Sequence, residues 1–402
     1  MKRYIGTVAR GVRTPIFDEG DDLAIMLPEI ILKASETENF ALRDKDVLAI
    51  TESIVARAQG NYADIHDIEK DLRKKLDGVE EIGLVLPILS RNRFSILLKG
   101  IANAVKRVYL QLSFPADEVG NQLFDPNLLL TTTINPYTDV LNEEQFYNNF
   151  GKSEHPFTGV NYIQLYRDIV EEAGAECTII FANDCSKILD YTKYVIACDV
   201  HTRKTSVEKL KKAGAEFVLD LTHLLNEPTK AHGYNEQYGL LGSNKADETT
   251  IKLFPRDCQK LTEQIAQRLF ELSGKKIEVM IYGDGAFKDP VGKIWELADP
   301  VVSPAYTSGL KGTPNELKIK YLADSDYKDL SAEEKQAEIT KRIVEKDNSD
   351  IQSQDENIFE GTTPRNLTDL LGSLADLVSG SGDKGTPIVY IQGYFDNFSD
   401  GY

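Results

Sequence analysis

The chain has 402 residues, enough for two or three domains, and its 41% of hydrophobic residues can supply a full core. A formal net charge of −18 argues against nucleic-acid binding, which needs a basic surface, and predicts that divalent cations accompany any bound nucleotide. No apolar run approaches the roughly 20 residues of a membrane helix, and no signal-peptide pattern follows the basic start. We therefore expect a cytoplasmic protein that contacts neither nucleic acid nor membrane.

The four cysteines have no C-x-x-C spacing, and three of them fall in one short region. Zinc sites usually show paired spacings of that kind, so the pattern favours buried structural thiols over a metal centre.

Residues 1–119 alternate strand-like and helix-like segments. Helical spacing of apolar residues predicts a helix over 65–76, with Asp64 available as its N-cap. Short aliphatic runs predict strands at 47–50, 82–87 and 108–112.

From 120 to 232 the pattern becomes a repeated alternation of strands and helices. Apolar runs predict strands at 177–181, 194–199 and 217–221, and amphipathic stretches predict helices at 162–173 and 207–213. This βαβ pattern indicates a separate small α/β module with a parallel sheet.

Beyond 233 the pattern is mixed again. A helix is predicted over 257–273, ended by Gly274, and a strand over 277–282. Residues 330–357 are rich in Glu, Lys, Asp and Gln, which is typical of a solvated helix, here 332–346, followed by a polar loop.

Near the C-terminus, residues 380–385 read Gly-Ser-Gly-Asp-Lys-Gly and match the G-x-G-x-x-G pattern of dinucleotide-binding loops. The context is reversed, because a helix pattern precedes the loop and the strand-like run 388–391 follows it. The dinucleotide fingerprint requires a strand before the glycines and a helix after them. The loop is therefore predicted to meet a phosphate or metal by another mechanism, if it meets one at all.

Two early motifs allow both a functional and a structural interpretation. The paired aspartates Asp21 and Asp22 are suited to contact a metal, but also to cap a helix that starts near Leu23. Arg57 follows a predicted strand and can grip a phosphate or carboxylate through its planar guanidinium, or form a surface ion pair.

Three later motifs also allow both a functional and a structural interpretation. Gly239 and Gly242 precede Ser243, Asn244 and Lys245, which suits either close approach of backbone to a ligand or a plain turn. Asp284 follows a strand between two glycines, which is typical of a Mg²⁺ ligand but also of a tight turn. His201 ends another strand, where it could line a ligand crevice or have a structural role.

No G-x-x-x-x-G-K-[ST], H-E-x-x-H or G-x-S-x-G pattern occurs. These absences exclude a P-loop and leave hydrolase and zinc-protease readings with little support.

Taken in order, five segments resemble the coenzyme F420:L-glutamate ligase family, whose members are γ-glutamyl ligases. Residues 19–23 resemble its E-G-D-D-L motif and 46–60 its D-V-L…S-K-A-E-G. Residues 239–244 are similar to G-I-D-A-S-N, 272–279 to L-T-G-K-R-V-G-V, and 374–389 to the closing helix, M-G-E-G-G-D-G loop and strand.

The resemblance implies an α+β fold in which a ligase-like domain of mixed, largely antiparallel sheet is interrupted by the α/β module. That domain is discontinuous, formed by 1–119 and 233–402, and the inserted module is 120–232, which has no counterpart in the short archaeal ligases. It also implies GTP-dependent amide ligation with two divalent metals, Mg²⁺ or Mn²⁺, in a homodimer. The expected ligands are a nucleotide, L-glutamate and a small anionic coenzyme.

Site residues follow from the motif positions. The nucleotide contacts implied by the resemblance are Thr14, Pro15, Ile16, Phe17, Arg57, Ser243, Asn244, Gly380, Gly382 and Gly385. Asp284 matches a metal aspartate. Two further metal ligands of the family fall on Leu241 and Ser381, so Glu236 and Asp383 are the candidate replacements.

The leading hypothesis is a metal-dependent, GTP-driven ligase that joins L-glutamate to an F420-0-like acceptor. A folate-type polyglutamylating ligase is an alternative acceptor class. A non-catalytic nucleotide-binding, coenzyme-binding or regulatory protein on the same scaffold is the alternative favoured by Leu241.

Overall fold

The structure is a computed structural model that describes residues 4–86, 89, 93–117, 120–152, 154–155, 159–199, 202–283, 286–289, 294–297, 302–312, 317–348, 366–380, 382–397 and 399. Its strands are β1 (Val8–Val12), β2 (Val47–Thr51), β3 (Tyr62–Asp64), β4 (Glu81–Leu86), β5 (Arg107–Leu112), β6 (Leu141–Asn142), β7 (Glu176–Phe181), β8 (Tyr194–Ala197), β9 (Phe217–Asp220), β10 (Asn244–Lys245), β11 (Thr250–Lys252), β12 (Glu278–Gly283), β13 (Ala286–Asp289), β14 (Ile294–Leu297), β15 (Val302–Tyr306) and β16 (Ile388–Gln392).

Its helices are α1 (Leu23–Thr37), α2 (Glu52–Ala58), α3 (Ile65–Leu76), α4 (Arg93–Asn103), α5 (Glu143–Phe150), α6 (Tyr162–Glu172), α7 (Arg203–Lys212), α8 (Cys258–Ser273), α9 (Ile319–Asp324), α10 (Ala332–Asn348) and α11 (Leu367–Ser379). None of these helices is both long and apolar enough to cross a membrane.

A mixed sheet of five described strands joins the two ends of the chain. Its order is β1-β16-β2-β12-β15, with β2 and β12 parallel and every other pair antiparallel. Strand β2 is a continuous apolar run because both faces of the sheet are covered. Leu48 and Ile50 pack toward α1 and α8, and Val47 and Ala49 pack toward α11.

The ends of several helices follow the sequence signals. Asp22 caps α1 by accepting a hydrogen bond from the backbone nitrogen of Ala24 at 3.0 Å, so the capping interpretation of the paired aspartates is confirmed. Asp64 caps α3 in a capping box, also as predicted. Gly274 ends α8 at φ +67°, a conformation that glycine adopts without steric cost.

A second sheet has the order β6-β7-β5-β4-β8-β9, and all its pairs are parallel except β6 with β7. Helices α3, α4 and α6 cover one face, and α7 lies on the other. The predicted parallel strands at 177–181, 194–199 and 217–221 are confirmed as β7, β8 and β9.

The centre of this sheet is formed by β4 and β5, which lie before residue 120. The segment 120–232 therefore accounts for only part of the sheet. Residues after 232 also join its core, namely Leu240, Leu241, Ile251 and Leu253. The sequence pattern alone does not show this extent, because a short aliphatic run has the same appearance in any sheet. The strand with which it pairs is determined by contacts far away in sequence.

Two smaller sheets complete the described strands. Strands β10, β11 and β3 form an antiparallel sheet, and β13 pairs with β14. The chain is thus an α+β protein that combines a mixed, mostly antiparallel sheet with a parallel α/β sheet, which confirms the predicted fold class.

Candidate functional site

One edge of the five-stranded sheet collects most of the predicted site segments. Strands β1, β2 and β12 end at this edge, whereas β15 and β16 begin there. The register shows it directly, because Ile388 lies opposite both Val12 and Ile50, and Tyr282 lies opposite Thr51. The loop after β1 and the start of α2, which follows β2 directly, therefore lie beside the loop that precedes β16 and close to the last residues of β12.

Backbone hydrogen bonds join the loop before β16 to the loop after β1 and to the last residue of β2. The nitrogen of Thr14 donates to the carbonyl oxygen of Gly385 at 3.2 Å, and the nitrogen of Thr51 donates to that of Pro387 at 3.1 Å. The predicted nucleotide contacts Thr14, Gly380, Gly382 and Gly385 are thus brought together. The helix–loop–strand order predicted around the glycines is confirmed by α11, the loop and β16.

Arg57 attaches the loop after β1 to α2. Its Nε donates to the carbonyl oxygen of Phe17, and its Nη2 donates to Oδ1 of Asp18 at 3.3 Å. The surface ion pair foreseen as an alternative therefore exists. The Phe17 side chain is buried in the core, whereas Pro15 and Ile16 are exposed at the tip of the loop.

A buried carboxylate that the sequence analysis missed lies beside Asn244. Glu52 is only 4% exposed, and its Oε1 accepts a hydrogen bond from Nδ2 of Asn244 at 3.3 Å. The end of β12 approaches it closely, since a Cβ on Gly283 would lie 2.5 Å from Cγ of Glu52. Asp284, the predicted metal ligand, follows Gly283 and lies outside the described residues, as does His201.

A cavity of about 380 Å³ opens between α2 and the sheet β10-β11-β3; we call it the basic pocket. Its lining carries three cationic side chains and one carboxylate, with hydroxyl groups between them. The lining residues are Ser53, Arg57, Tyr62, Lys245, Ala246, Asp247, Thr250 and Lys252.

The charged groups of the basic pocket differ in what they already contact. Lys245 Nζ pairs with Oε1 of the exposed Glu248 at 2.8 Å, while Lys252 Nζ donates to the hydroxyl of Ser53. The Asp247 carboxylate accepts the backbone N–H groups of residues 249 and 250, each at 2.9 Å. Those hydrogen bonds lower the pKa of Asp247, so this carboxylate is ionised and ties the turn between β10 and β11.

A second cavity, of about 420 Å³, lies where α2 meets the first turns of α1 and α8. Its charged lining groups are Asp21, Asp22, Asp257 and Lys260. We call it the acidic pocket. Helix α2 contributes residues to both pockets, so the two cavities share one wall.

The remaining predicted positions differ in their placement. Leu241 packs in the core of the parallel sheet, where an aliphatic side chain fits, and cannot bind a metal. Ser243 is buried, and its Oγ has no hydrogen-bond partner in the described part of the chain. The carboxylates of Glu236 and Asp383 are exposed and form no hydrogen bond or ion pair with other described residues.

The described residues contain no group of three or more His, Cys, Asp or Glu side chains that could hold a metal ion. Oxygen ligands are nevertheless close to the end of β12, namely the Glu52 carboxylate with the Asn244 amide beside it. Oxygen ligands of this kind suit Mg²⁺ and Mn²⁺, so the donor set fits such an ion, with Asp284 as the predicted additional carboxylate.

Comparison with known protein families identifies the family of the chain. The chain matches the model of the F420-0:gamma-glutamyl ligase family over residues 11–393, which covers the mixed sheet and the parallel sheet alike. No curated protein matches it. The extent of the family match leads to one conclusion: the chain is a member of the F420-0:gamma-glutamyl ligase family.

Proposed function

We propose that this protein is a GTP-driven, metal-dependent ligase that joins L-glutamate to an F420-0-like acceptor. Membership of the family supports formation of a γ-glutamyl bond. The observation that carries the proposal is the convergence of Thr14, Arg57 and the glycine loop at one edge of the five-stranded sheet. The basic pocket adjoins that edge through Arg57.

The reaction we propose has two steps that conserve atoms and charge. A carboxylate oxygen of the acceptor attacks the γ-phosphorus of GTP, which forms an acyl phosphate and releases GDP. The α-amino nitrogen of glutamate then attacks the acyl carbon, inorganic phosphate leaves, and the amine proton passes to solvent. A bound divalent cation would neutralise phosphate charge during the first step.

The chain's own groups are assigned as follows. Almost half of the Arg57 side chain is exposed, so the guanidinium N–H groups that do not contact Phe17 can donate hydrogen bonds to a phosphate. Asn244 orients the Glu52 carboxylate toward the end of β12. We propose that Glu52, Asn244 and Asp284 hold the metal ion, and that Gly380, Gly382 and Gly385 let backbone approach the nucleotide.

A second candidate is a non-catalytic protein that binds a nucleotide or coenzyme on the ligase scaffold. Burial of Leu241 in the apolar core favours it, because the family places a metal aspartate at that position. The retained Asn244, Asp284 and glycine loop favour the enzyme, as does the buried Glu52 carboxylate beside the Asn244 amide.

The deciding experiment incubates purified protein with GTP, L-glutamate, F420-0 and Mn²⁺, and follows GDP release together with glutamate addition by mass spectrometry. Parallel reactions replace GTP by ATP, F420-0 by a folate, or Mn²⁺ by EDTA. Coupled GDP release and glutamate addition that cease in EDTA support the ligase. GTP binding without any turnover on either acceptor overturns it in favour of the binding protein.

We also propose a cytoplasmic homodimer, following the resemblance to the family. Sedimentation-equilibrium measurements at two protein concentrations test the dimer, and a mass equal to one chain at both concentrations rejects it.

A further inference from the structure

We infer that Lys252 is a fixed cation that binds a phosphate group in the basic pocket directly, without an intervening metal ion. The inference rests on the proposed function, in that the phosphate would belong to the nucleotide. It adds a specificity-determining residue that lies outside all the motifs described for the family in this sequence.

The first argument is the register of the small sheet. Lys252 lies opposite Asn244 on β10 and opposite Tyr62 on β3. Residues directly opposite each other in antiparallel strands project from the same face of the sheet. One sheet face therefore presents an amide and an ammonium side by side, and these reach the consecutive helix residues Glu52 and Ser53.

The second argument is the charge balance around the ammonium group. Within the described parts of the chain, no carboxylate lies within ion-pairing distance of Lys252 Nζ, and its hydrogen-bond partner is the neutral hydroxyl of Ser53. Lys245 and Arg57, by contrast, pair with the exposed carboxylates of Glu248 and Asp18. Exposed pairs of this kind are worth about 0–1 kcal/mol, so an incoming anion displaces them at little cost.

The third argument is the chemistry of the lining. The single carboxylate of the pocket, Asp247, already accepts two backbone N–H groups. Hydroxyl groups of Ser53, Tyr62 and Thr250 add donors that can reach phosphate oxygens. Such a polar lining suits the phosphates of a nucleotide rather than its base, which stacks on aromatic or apolar surface.

The consequence is that a metal ion and the Lys252 side chain would each neutralise part of the phosphate charge. In a protein of net charge −18, a phosphate needs a local positive charge to approach at all. Lys252 supplies that charge in a fixed position, held by Ser53 and by the strand register. Part of the phosphate affinity should then survive removal of divalent cations.

The test is isothermal titration of pyrophosphate into the full-length protein in EDTA, with wild type compared with Lys252→Gln. We expect saturable binding to wild type and a dissociation constant at least tenfold higher for Lys252→Gln. Lys252→Arg should retain most of the affinity. The matched control is Lys260→Gln, which removes the lysine of the acidic pocket and should leave pyrophosphate binding unchanged.

Thermal unfolding checks that Lys252→Gln is folded, and Lys245→Gln provides a second variant at an exposed position of the same pocket. Equal pyrophosphate affinity in wild type and Lys252→Gln overturns the inference, whatever the affinity of Lys245→Gln, as does binding that requires Mn²⁺. Tight binding of L-glutamate instead of pyrophosphate, lost in Lys252→Gln, overturns the phosphate assignment.

The two proposals fail separately. Pyrophosphate binding is measured without turnover, so it can hold in a protein that does not ligate glutamate. Conversely, undiminished ligation and an unchanged KM for GTP in Lys252→Gln would reject the role of Lys252 while leaving the ligase intact.

Discussion

The guanidinium of Arg57 donates through Nε to the carbonyl oxygen of Phe17, which fixes the loop after β1 against α2. Phe17 itself is buried, so this hydrogen bond connects the wall of the basic pocket with the core of the mixed sheet. An arginine can make this contact and offer its remaining N–H groups to a ligand at the same time, because its five donors lie in one plane.

Replacing Arg57 by lysine should therefore weaken nucleotide binding more than it weakens the fold. A lysine cannot span the Phe17 carbonyl and a phosphate together, so we expect the KM for GTP to rise about tenfold or more. Loss of the exposed ion pair should cost about 0–1 kcal/mol of stability, and loss of the Phe17 hydrogen bond about 0.5–1.5 kcal/mol, so the variant should remain folded. Asp18→Asn is the control, since it removes the ion pair alone; a KM that rises equally in both variants would contradict the assignment.

Adding a methyl group at Gly283 should disturb the position of Glu52. The new Cβ would lie 2.5 Å from Cγ of Glu52 and 3.2 Å from Cε2 of Phe254, both buried side chains. Overpacking of this kind typically costs about 1–3 kcal/mol. We expect Gly283→Ala to lower both the urea midpoint and kcat, whereas Gly6→Ala, where no atom lies within 4 Å of the new Cβ, should change neither.

Tyr390 should contribute to stability because its hydroxyl donates a hydrogen bond to the buried carboxyl group of Asp46. Asp46 is 1% exposed and accepts hydrogen bonds from the hydroxyl of Tyr390 at 2.7 Å and from Nε2 of Gln392 at 2.9 Å. Burial and the hydrogen bond to this carboxylate raise the pKa of Tyr390 well above its usual value. Tyr390→Phe should cost about 1–3 kcal/mol in urea unfolding because it removes a hydrogen-bond donor from a buried carboxyl oxygen. Tyr137→Phe, at an exposed tyrosine, should cost almost nothing, and equal losses would be inconsistent with the network.

Buried thiols should make the protein less stable as the pH rises above about 8.5. Burial raises the pKa of Cys177 and of Cys258 to about 12, and raises those of Cys185 and Cys198 as well. In the unfolded chain these thiols ionise near their ordinary pKa, so the unfolded state then binds fewer protons than the folded state. Stability is thus complete below about pH 8.5 and falls as the pH approaches 12.

Two measurements check this expectation. The melting temperature should decline between pH 8.5 and 11, and iodoacetamide should label the native thiols far more slowly than the thiols of the urea-unfolded chain at pH 8. Rapid labelling of the native protein would show that these thiols are not shielded.

The elements that could be predicted are those whose signal is local. The aliphatic run of β2, the capping box of α3 and the terminal glycine of α8 all depend on residues within a few positions of one another. The helix–loop–strand order at residues 367–392 was likewise legible from periodicity alone.

The contacts that could not be predicted are non-local. Glu52 resembles an ordinary acidic residue in the first turn of a helix, and nothing near it in sequence indicates that Asn244 approaches from 192 positions away. Lys252 belongs to a strand of only three residues, and its partnership with Asn244 exists only in the register of β10 and β11. The extent of the parallel sheet could not be predicted for the same reason. Strand β4 pairs with β8 and β5 pairs with β7, in each case more than 60 residues away.

Strand β11 divides its side chains between two very different environments. Ile251 of β11 and Leu253, the residue directly after the strand, are fully buried in the core of the parallel sheet, while Lys252 between them lines the basic pocket. Because the three residues are consecutive in the backbone, Lys252 cannot shift without Ile251 and Leu253. The core of the parallel sheet therefore supports this wall of the basic pocket, and repacking of that core should shift Lys252, one residue away. The parallel sheet, whose strands come from both sides of residue 120, thereby helps to fix the position of the Lys252 ammonium group.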